Sequence, residues 1–405
     1  MMLLLALFSG AFGADWLTLN NTERGHDEGI RPIAFVQPHV GASTQGAASG
    51  LQGGLAAYEG EVPLFNRVYG PGPVGFGLRR ARFGVRGTVG HPDVSVFFLL
   101  EAGSNGITRE APVALTDATV SWSPHRAFGV RVGQQKLPLM EETLPAVPVA
   151  YEWIWFSNTA LKLTGENHAR NGQFIAPFSA FRDVGAQVFG VAREGQWEAS
   201  WAAMVGQGRS AGLDVDDHQD LAGRVMLAHV IGESKGPFRE EVSVVLWGQT
   251  GGRTLDEGDV TRSRAGFAAR VELGKVWTLA EGVIADGAIE LGTRPPFPGG
   301  SVVVAPEGHG RGGVISAGYR HEVDDIGTFG IKARYDELRL WTDLPEDTRV
   351  FRTVTGGLSF DPLPKLGVLL TYEHRVVLAP DAGPAVQGLL GQVGDRVDLQ
   401  VTARL

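Results

Sequence analysis

The sequence predicts an all-β fold: a transmembrane antiparallel β-barrel of about sixteen strands. Short segments of alternating polarity follow one another from residue 30 to the C-terminus, and their connections are alternately long and short. Many segments carry charged residues on one face and apolar residues on the other. Short periplasmic turns and long outer loops are typical of barrels in the bacterial outer membrane.

The composition favours one barrel domain over residues 14–405. The chain has 405 residues, with 57 glycines, 22 prolines and no cysteine, so neither a disulfide nor a thiolate metal site is possible. A spanning helix needs about 20 consecutive apolar residues, and the apolar runs after the N-terminal segment are much shorter. In lipid, a closed barrel is the other way to satisfy every backbone donor and acceptor.

The N-terminal segment, residues 1–13, is predicted to be a signal peptide. Its sequence is MMLLLALFSGAFG, and Ala11 and Gly13 supply small residues before a cleavage site near Ala14 or Asp15. The usual basic region is missing. Two explanations stay open, a natural start further upstream and an atypical signal. The alternative is an ordinary buried N-terminal segment.

The sixteen predicted strands alternate in polarity and are bounded by turn residues. They are 31–40, 79–89, 94–102, 113–123, 127–136, 184–192, 196–206, 221–230, 239–249, 263–273, 276–292, 313–322, 327–337, 350–360, 366–377 and 395–404. The long connections are predicted near 41–78, 103–112, 137–183, 207–220, 250–262, 293–312, 338–349 and 378–394. Pro32 and Pro38 interrupt the first strand and the eleventh is long, so the count allows two strands more or fewer.

The second predicted strand shows the alternation most clearly. Phe83 and Val85 fall on one face. Arg80, Arg82 and Arg86 fall on the other, because successive strand residues point to opposite sides. In a membrane barrel the apolar face meets lipid and the polar face lines the interior. This strand therefore predicts a row of inward-facing arginines.

Later strands repeat this pattern, in the ranges 128–135, 264–273, 331–336, 368–375 and 396–405. One such strand could belong to any antiparallel sheet with a solvated face. A packed sandwich core cannot bury several charges per strand without partners, whereas a water-filled lumen can hold them. The repetition favours the barrel, and sixteen strands leave room for an aqueous channel.

Aromatic residues near strand ends are predicted to form girdles at the two membrane surfaces, because amphipathic rings anchor at the level of the headgroups. The predicted girdle residues are Trp122, Phe128, Trp197, Trp201, Trp247, Trp277, Tyr319 and Tyr372. The alternative is that some are ordinary strand aromatics.

Four segments together resemble the phosphate-selective porin family of the O/P type. They are LRRARFGVRGTVG (78–90), DATVSWSPHRAFGVRVGQQKLPL (117–139), RDVGAQVFG (182–190) and GDRVDLQVTARL (394–405). The resemblance covers roughly residues 78–405 and implies a trimeric outer-membrane porin whose third long loop folds inward. Two features depart from the family: the chain ends in Leu405 rather than an aromatic residue, and its cations are mostly arginines.

The longest connection, 137–183, is the predicted constriction of the pore. Arginine rows offer repeated, weak, bidentate sites for oxyanions, which suits conduction better than one tight site. The alternative is that each arginine pairs with an acidic neighbour and only braces the wall. The candidate anion-contacting residues are Arg80, Arg82, Arg86, Arg131, Lys136, Lys162, Arg170, Arg182, Lys332 and Arg334.

The predicted function is passive diffusion of small solutes through a Gram-negative outer membrane, with a mild preference for anions such as phosphate. The expected partners are inorganic anions or small polar solutes, membrane lipid and two further copies of the chain. No nucleic acid, cofactor, metal or enzymatic activity is predicted. Two alternatives stay open, a lipase-like barrel enzyme and a non-conducting scaffold or adhesin.

Overall fold

The chain forms a closed antiparallel barrel of sixteen strands. The computed structural model describes residues 29–405 except 45–46, 48, 51–55, 57–58, 61–73, 104–112, 146–150, 165–167, 171–172, 176–180, 209–217, 233–237, 256–257, 292–301 and 343–347. The predicted signal peptide, residues 1–13, lies outside the described residues.

The structure describes eighteen strands, of which sixteen form the barrel and match the sixteen predicted segments, whose positions are confirmed. The strands are β1 (Arg31–Ser43), β2 (Val74–Val89), β3 (His91–Ala102), β4 (Ala114–His125), β5 (Phe128–Lys136), β6 (His168–Arg170), β7 (Gln173–Ile175), β8 (Arg182–Glu194), β9 (Trp197–Gly206), β10 (Asp220–Val230), β11 (Glu241–Leu255), β12 (Gly258–Leu273), β13 (Val276–Leu291), β14 (Val302–Val323), β15 (Gly327–Leu340), β16 (Arg349–Leu363), β17 (Leu366–Leu378) and β18 (Arg396–Arg404). The helices are α1 (Asn158–Leu163) and α2 (Pro384–Leu390).

Sequential neighbours pair around the barrel, and β1 closes it against β18. The short strands β6 and β7 pair only with each other, inside the connection from β5 to β8. In the part of the chain that the structure describes, no helix is long and apolar enough to cross a membrane.

Glycine makes several of the tight turns possible. Gly90, Gly195 and Gly274 have φ angles of 71°, 58° and 55°. Glycine adopts such positive φ values without the steric cost of a side chain, and tight hairpin turns require them. These turns lie at the end of the barrel that the sequence assigns to the periplasm.

Three connections differ from the prediction. The connection predicted at 250–262 is largely strand, since β11 continues to Leu255 and β12 begins at Gly258. The connection predicted at 293–312 is also partly strand, since β14 begins at Val302. At the other end, β10 and β11 are joined by ten residues, 231–240, where the predicted strands left eight. Two antiparallel strands satisfy each other's backbone N–H and C=O groups along their whole paired length. A hairpin can therefore extend beyond the apolar pattern from which the strand boundaries were predicted.

The two faces of the wall are assigned by burial. Large apolar side chains point outward and are exposed, such as Leu246 (63%), Ile284 (65%) and Ile315 (62%). Charged side chains on the alternate positions are buried inside, such as Glu101 (0%) and Arg334 (3%). A soluble protein has the opposite arrangement, whereas a barrel in lipid has this one.

The connection between β5 and β8, residues 137–181, is called L3 below. Its buried apolar residues include Leu139, Met140, Leu144 and Leu163. They belong to one buried cluster with inward-facing residues of the wall, namely Val245, Val283, Ala285, Leu338, Leu340 and Phe351. The part of the inner wall that L3 covers is therefore apolar.

Candidate functional site

The first anchor of L3 is a carboxylate on β13. Glu281 accepts hydrogen bonds from the backbone N–H groups of Glu141 (2.9 Å) and Glu142 (3.0 Å). It also accepts one from Trp247 Nε1 at 3.0 Å. On β10, Arg224 donates to the Leu139 carbonyl at 2.7 Å. The start of L3 is thus fixed to the inner face of the barrel.

The second anchor is Asp336 on β15, which is fully buried. Its carboxylate accepts from the backbone N–H of Asn158 (3.0 Å) and of Thr159 (3.3 Å). The Asn158 amide and the Thr159 hydroxyl donate to it as well, at 2.7 and 3.1 Å. Because the first N–H groups of a helix lack partners within it, Asp336 holds the start of α1 against the wall.

Glu142 joins L3 to itself and to the wall. Its carboxylate accepts from the Ser157 backbone N–H (2.8 Å) and from the Ser157 hydroxyl. Arg334 of β15 donates to the same carboxylate at 3.1 Å and to the Trp155 carbonyl at 2.8 Å. These contacts bring two distant parts of L3 together at one inward-facing arginine.

Three predicted candidates, Arg80, Arg82 and Arg131, lie on the inner wall as expected, but their partners differ. Arg82 forms an ion pair with Glu101 at 2.8 Å. Arg80 donates to Gln37 Oε1 at 3.0 Å, and Arg131 donates to Ser121 Oγ at 3.2 Å. Among the described residues, neither Arg80 nor Arg131 has a carboxylate partner. Their charges are not neutralised by direct pairing.

Lys136, the last residue of β5, and Arg182, the first residue of β8, flank L3. The Lys136 ammonium donates to the carbonyls of Thr143, Leu144 and Pro145, each at 3.0 Å. Arg182 pairs with Asp117 at 3.0 Å. Lys136 therefore holds the start of L3, whereas Arg182 pairs within the wall, since Asp117 lies on β4.

Lys332 of β15 forms an ion pair with Glu152 of L3. Its ammonium lies 2.6 Å from the Glu152 carboxylate and 3.1 Å from the Glu152 carbonyl. Arg320 pairs with the same carboxylate at 2.7 Å. Burial raises the pKa of Glu152, but the charges of Lys332 and Arg320 outweigh it and hold the pKa at about 2. This carboxylate is therefore ionised near neutral pH.

Lys162, Arg170 and Arg86 complete the predicted set. Lys162 lies on α1, with its ammonium 4.8 Å from the ring centre of Phe351, and burial lowers its pKa to about 8. Arg170 ends β6, and its side chain lies outside the described part of the chain. Arg86 lies on β2, half-buried and on the inward-facing register predicted for it.

Arg79 is a buried arginine that was not among the predicted candidates. The β1–β2 ladder shifts register between Gln37 and Pro38, so Arg79 and Arg80 are both buried instead of alternating. Proline cannot donate to a ladder and is found at such irregularities. The Arg79 guanidinium lies 3.7 Å from the ring centre of Trp155 in L3. Pro38 was the signal that alternation would fail here.

The predicted aromatic girdle is wrong at two positions. Trp247 and Trp277 are only 5% and 6% exposed. Trp247 donates to Glu281, and Trp277 packs edge-on against Trp153 of L3, with ring centres 6.5 Å apart. Trp277 has its partner in L3, whereas Trp247 follows the unbroken alternation of β11, which places it on the inner face beside Glu281 of β13. Trp122, Phe128, Trp197, Tyr319 and Tyr372 are exposed on the outer surface.

A serine, an aspartate and a histidine meet on the outward face, where a lipase-like barrel would need its site. The Ser263 hydroxyl donates to Asp286 at 3.2 Å, and His309 Nδ1 contacts the other oxygen of the same carboxylate. A nucleophilic serine needs a base as its direct partner, with the acid behind that base. Here the acid lies between the two, so the order is wrong for activating Ser263.

The fold is similar to that of solved outer-membrane proteins. OmpF of Salmonella typhi aligns with a TM-score of 0.60 and 12% identity, over 93% of this chain and 97% of that chain. The anion-selective porin from Comamonas acidovorans aligns with a TM-score of 0.55 and 13% identity, over 93% and 99%. The channel DcaP of Acinetobacter baumannii gives 0.55 and 12%, over 93% and 97%. Neither a family model nor a curated protein sequence matches this chain.

Proposed function

We propose that this chain is a porin of a Gram-negative outer membrane, through which small polar solutes diffuse passively. One observation carries the proposal: the sixteen-stranded barrel exposes apolar side chains outside and holds charged side chains inside. A wall with this polarity is stable in lipid and encloses a polar interior. The similar folds of an anion-selective porin and of an outer membrane channel support it.

The proposal places the narrowest part of the pore beside L3. The described parts of L3 contact inward-facing residues of β10, β13 and β15, including Arg224, Glu281 and Asp336. A segment held across the interior at several strands reduces the open cross-section. Selectivity in such a pore depends on the charges at its narrowest part.

A mild anion preference is the selectivity we propose, with phosphate among the permeant anions. Most of the inner cations are paired, as in Arg82–Glu101, Arg182–Asp117 and Lys332–Glu152. At the distance of a permeating ion, each paired cation is offset by the charge of its carboxylate partner, so these cations contribute little to anion selectivity. Arg80 and Arg131 keep an uncompensated charge and would favour anions. Assembly as a homotrimer follows from the family resemblance and is part of the same proposal.

Planar-bilayer recording tests the proposed function. The refolded full-length barrel should give stepwise, ohmic conductance and, under a salt gradient, a reversal potential that favours anions. Phosphate should carry current when it is the main anion. Properly folded barrels that give no conductance would instead favour a non-conducting scaffold or adhesin. A clear cation preference would be consistent with the proposed pore but would contradict the proposed anion selectivity.

The anion preference should fall as pH rises through about 8, because Lys162 loses its charge there. Burial depresses the pKa of this lysine, so its ammonium is protonated below that pH and neutral above it. Reversal potentials measured on both sides of pH 8 check this expectation. In Lys162→Gln the change across the interval should disappear, and a change that persists in this variant would assign the effect to another group.

The same pKa predicts the sign of a stability effect. The unfolded chain keeps Lys162 protonated up to its ordinary pKa of 10.5, whereas the folded chain releases the proton near 8. Between these values the unfolded chain binds more protons, so stability rises with pH across the interval. The burial of Lys162 costs stability below pH 8, and Lys162→Gln should remove this dependence in urea titrations.

A further inference from the structure

A groove lies on the outward face of the barrel wall, where β12 to β15 pass side by side. Its volume is about 660 Å³. Gly282 of β13 and Gly313 of β14, which are paired across the ladder, form its floor. Phe267, Ile315 and Tyr335 line its sides. Because neighbouring outward positions carry large side chains, the two glycines leave a depression in an apolar surface.

The floor of the groove is open rather than filled by a neighbouring side chain. A Cβ atom added at Gly282 would have no heavy atom within 4 Å. At Gly313 it would approach the Glu281 carbonyl oxygen at 3.3 Å. The depression is therefore wide at β13, and a hydrocarbon chain from the membrane fits its chemistry.

Arginines surround the end of the groove nearest the long connections. Arg311 of β14 and Arg339 of β15 are directly opposite each other in the ladder. Like charges in this position destabilise a sheet. Within the described part of the chain Arg311 has no acidic partner. Glu337 is shared by Arg339 and Arg352, at 2.8 Å from each.

The charge of this cluster is positive. Arg311, Arg339 and Arg352 contribute three positive charges and Glu337 contributes one negative charge, all on or beside the outward face. Asp286 lies nearby on β13, but its carboxylate is already engaged by Ser263 and His309. An anion between Arg311 and Arg339 would relieve their mutual repulsion.

We propose that this groove binds a membrane lipid with an anionic phosphate headgroup. The phosphate lies between Arg311 and Arg339, whose planar N–H groups match its oxygens, and one acyl chain lies over Gly282 and Gly313. Arginine binds phosphate oxygens with short, charge-assisted hydrogen bonds. The proposal rests on the proposed membrane location, and it concerns the outer surface rather than the pore.

Native mass spectrometry of the detergent-solubilised full chain tests the site. The probes are phosphatidylglycerol and phosphatidylcholine with identical acyl chains. The native protein should retain the anionic lipid preferentially. Arg311→Gln/Arg339→Gln should lower that preference at least about tenfold, since it removes two charge-assisted contacts and the loss of one is already of this order. The matched control is Arg193→Gln/Arg404→Gln, which removes two exposed arginines that donate to backbone carbonyls.

A second variant tests the groove independently of charge. Gly282→Leu fills the floor, and because nothing lies within 4 Å of its Cβ position the barrel should fold normally. It should reduce retention of both lipids at this site. Excess inorganic phosphate should leave the lipid bound, since it cannot replace the acyl chain.

Equal retention of the two lipids by the native protein would overturn the proposal, as would unchanged preference in the double arginine variant. Displacement by inorganic phosphate would also overturn it in favour of a simple anion site. Bilayer conductance of the same preparations separates this proposal from the proposed function. Lost lipid preference with normal conductance contradicts the lipid site alone, whereas retained preference without conductance contradicts the pore alone.

Discussion

Replacing Asp336 by alanine should detach α1 from the wall and raise the open-channel conductance, with increased current noise. The carboxylate accepts hydrogen bonds from the backbone and the side chains of Asn158 and Thr159. The Asn158 amide and the Thr159 hydroxyl have further acceptors in Thr353 and Glu337. Removing the carboxylate therefore leaves the two backbone N–H groups unsatisfied, at roughly 1–3 kcal/mol for each. We expect the free energy of unfolding to fall by about 3 kcal/mol, a large effect for one residue.

Urea unfolding and single-channel recording measure these two effects. The matched control is Asp324→Ala, which removes the same charge from an exposed turn between β14 and β15. Asp336→Asn should lie between the native protein and the alanine variant, because one oxygen can still accept. Normal conductance and noise in Asp336→Ala would contradict the role of Asp336 in fixing L3.

Replacing Arg80 by glutamine should shift the reversal potential toward zero and lower the anion-to-cation permeability ratio by about twofold. A unit charge about 8 Å from a permeating ion contributes roughly 0.5 kcal/mol in water. Arg80 is the sharpest target, since its hydrogen-bond partner is the neutral Gln37 and it has no carboxylate partner among the described residues. Its removal should leave no buried acid uncompensated.

Arg82→Gln makes a contrasting variant. It removes the same charge and breaks the ion pair with Glu101, which is fully buried. Breaking a buried pair in this way costs about 3–5 kcal/mol, so this variant should lose stability as well as selectivity. Arg193→Gln, at a short turn, should change neither. If the combined replacement of Arg80, Arg82 and Arg86 left the reversal potential unchanged, these arginines would only brace the wall.

The strand order and the faces of the wall could be predicted because both depend on local patterns. The alternation of Phe83 and Val85 with Arg80 and Arg82 follows from the two-residue period of a strand. The inward orientation of Arg79 could not be predicted from this period, because the β1–β2 ladder shifts register at Pro38 and alternation fails there. Trp247 is the opposite case: its outward placement was predicted and is wrong, because the unbroken alternation of β11 places it inside.

The barrel, its sixteen strands and its charged inner face follow from local sequence patterns, since a membrane wall imposes one polarity on alternate residues. Which cations are neutralised depends instead on the three-dimensional fold. Arg82 meets Glu101, whereas Arg80 meets Gln37, although both follow the same pattern. Partners are set by ladder register and by the path of L3 across the interior. These bring together residues as distant in sequence as Glu142 and Arg334. A pattern that repeats every two residues carries no information about such long-range pairs.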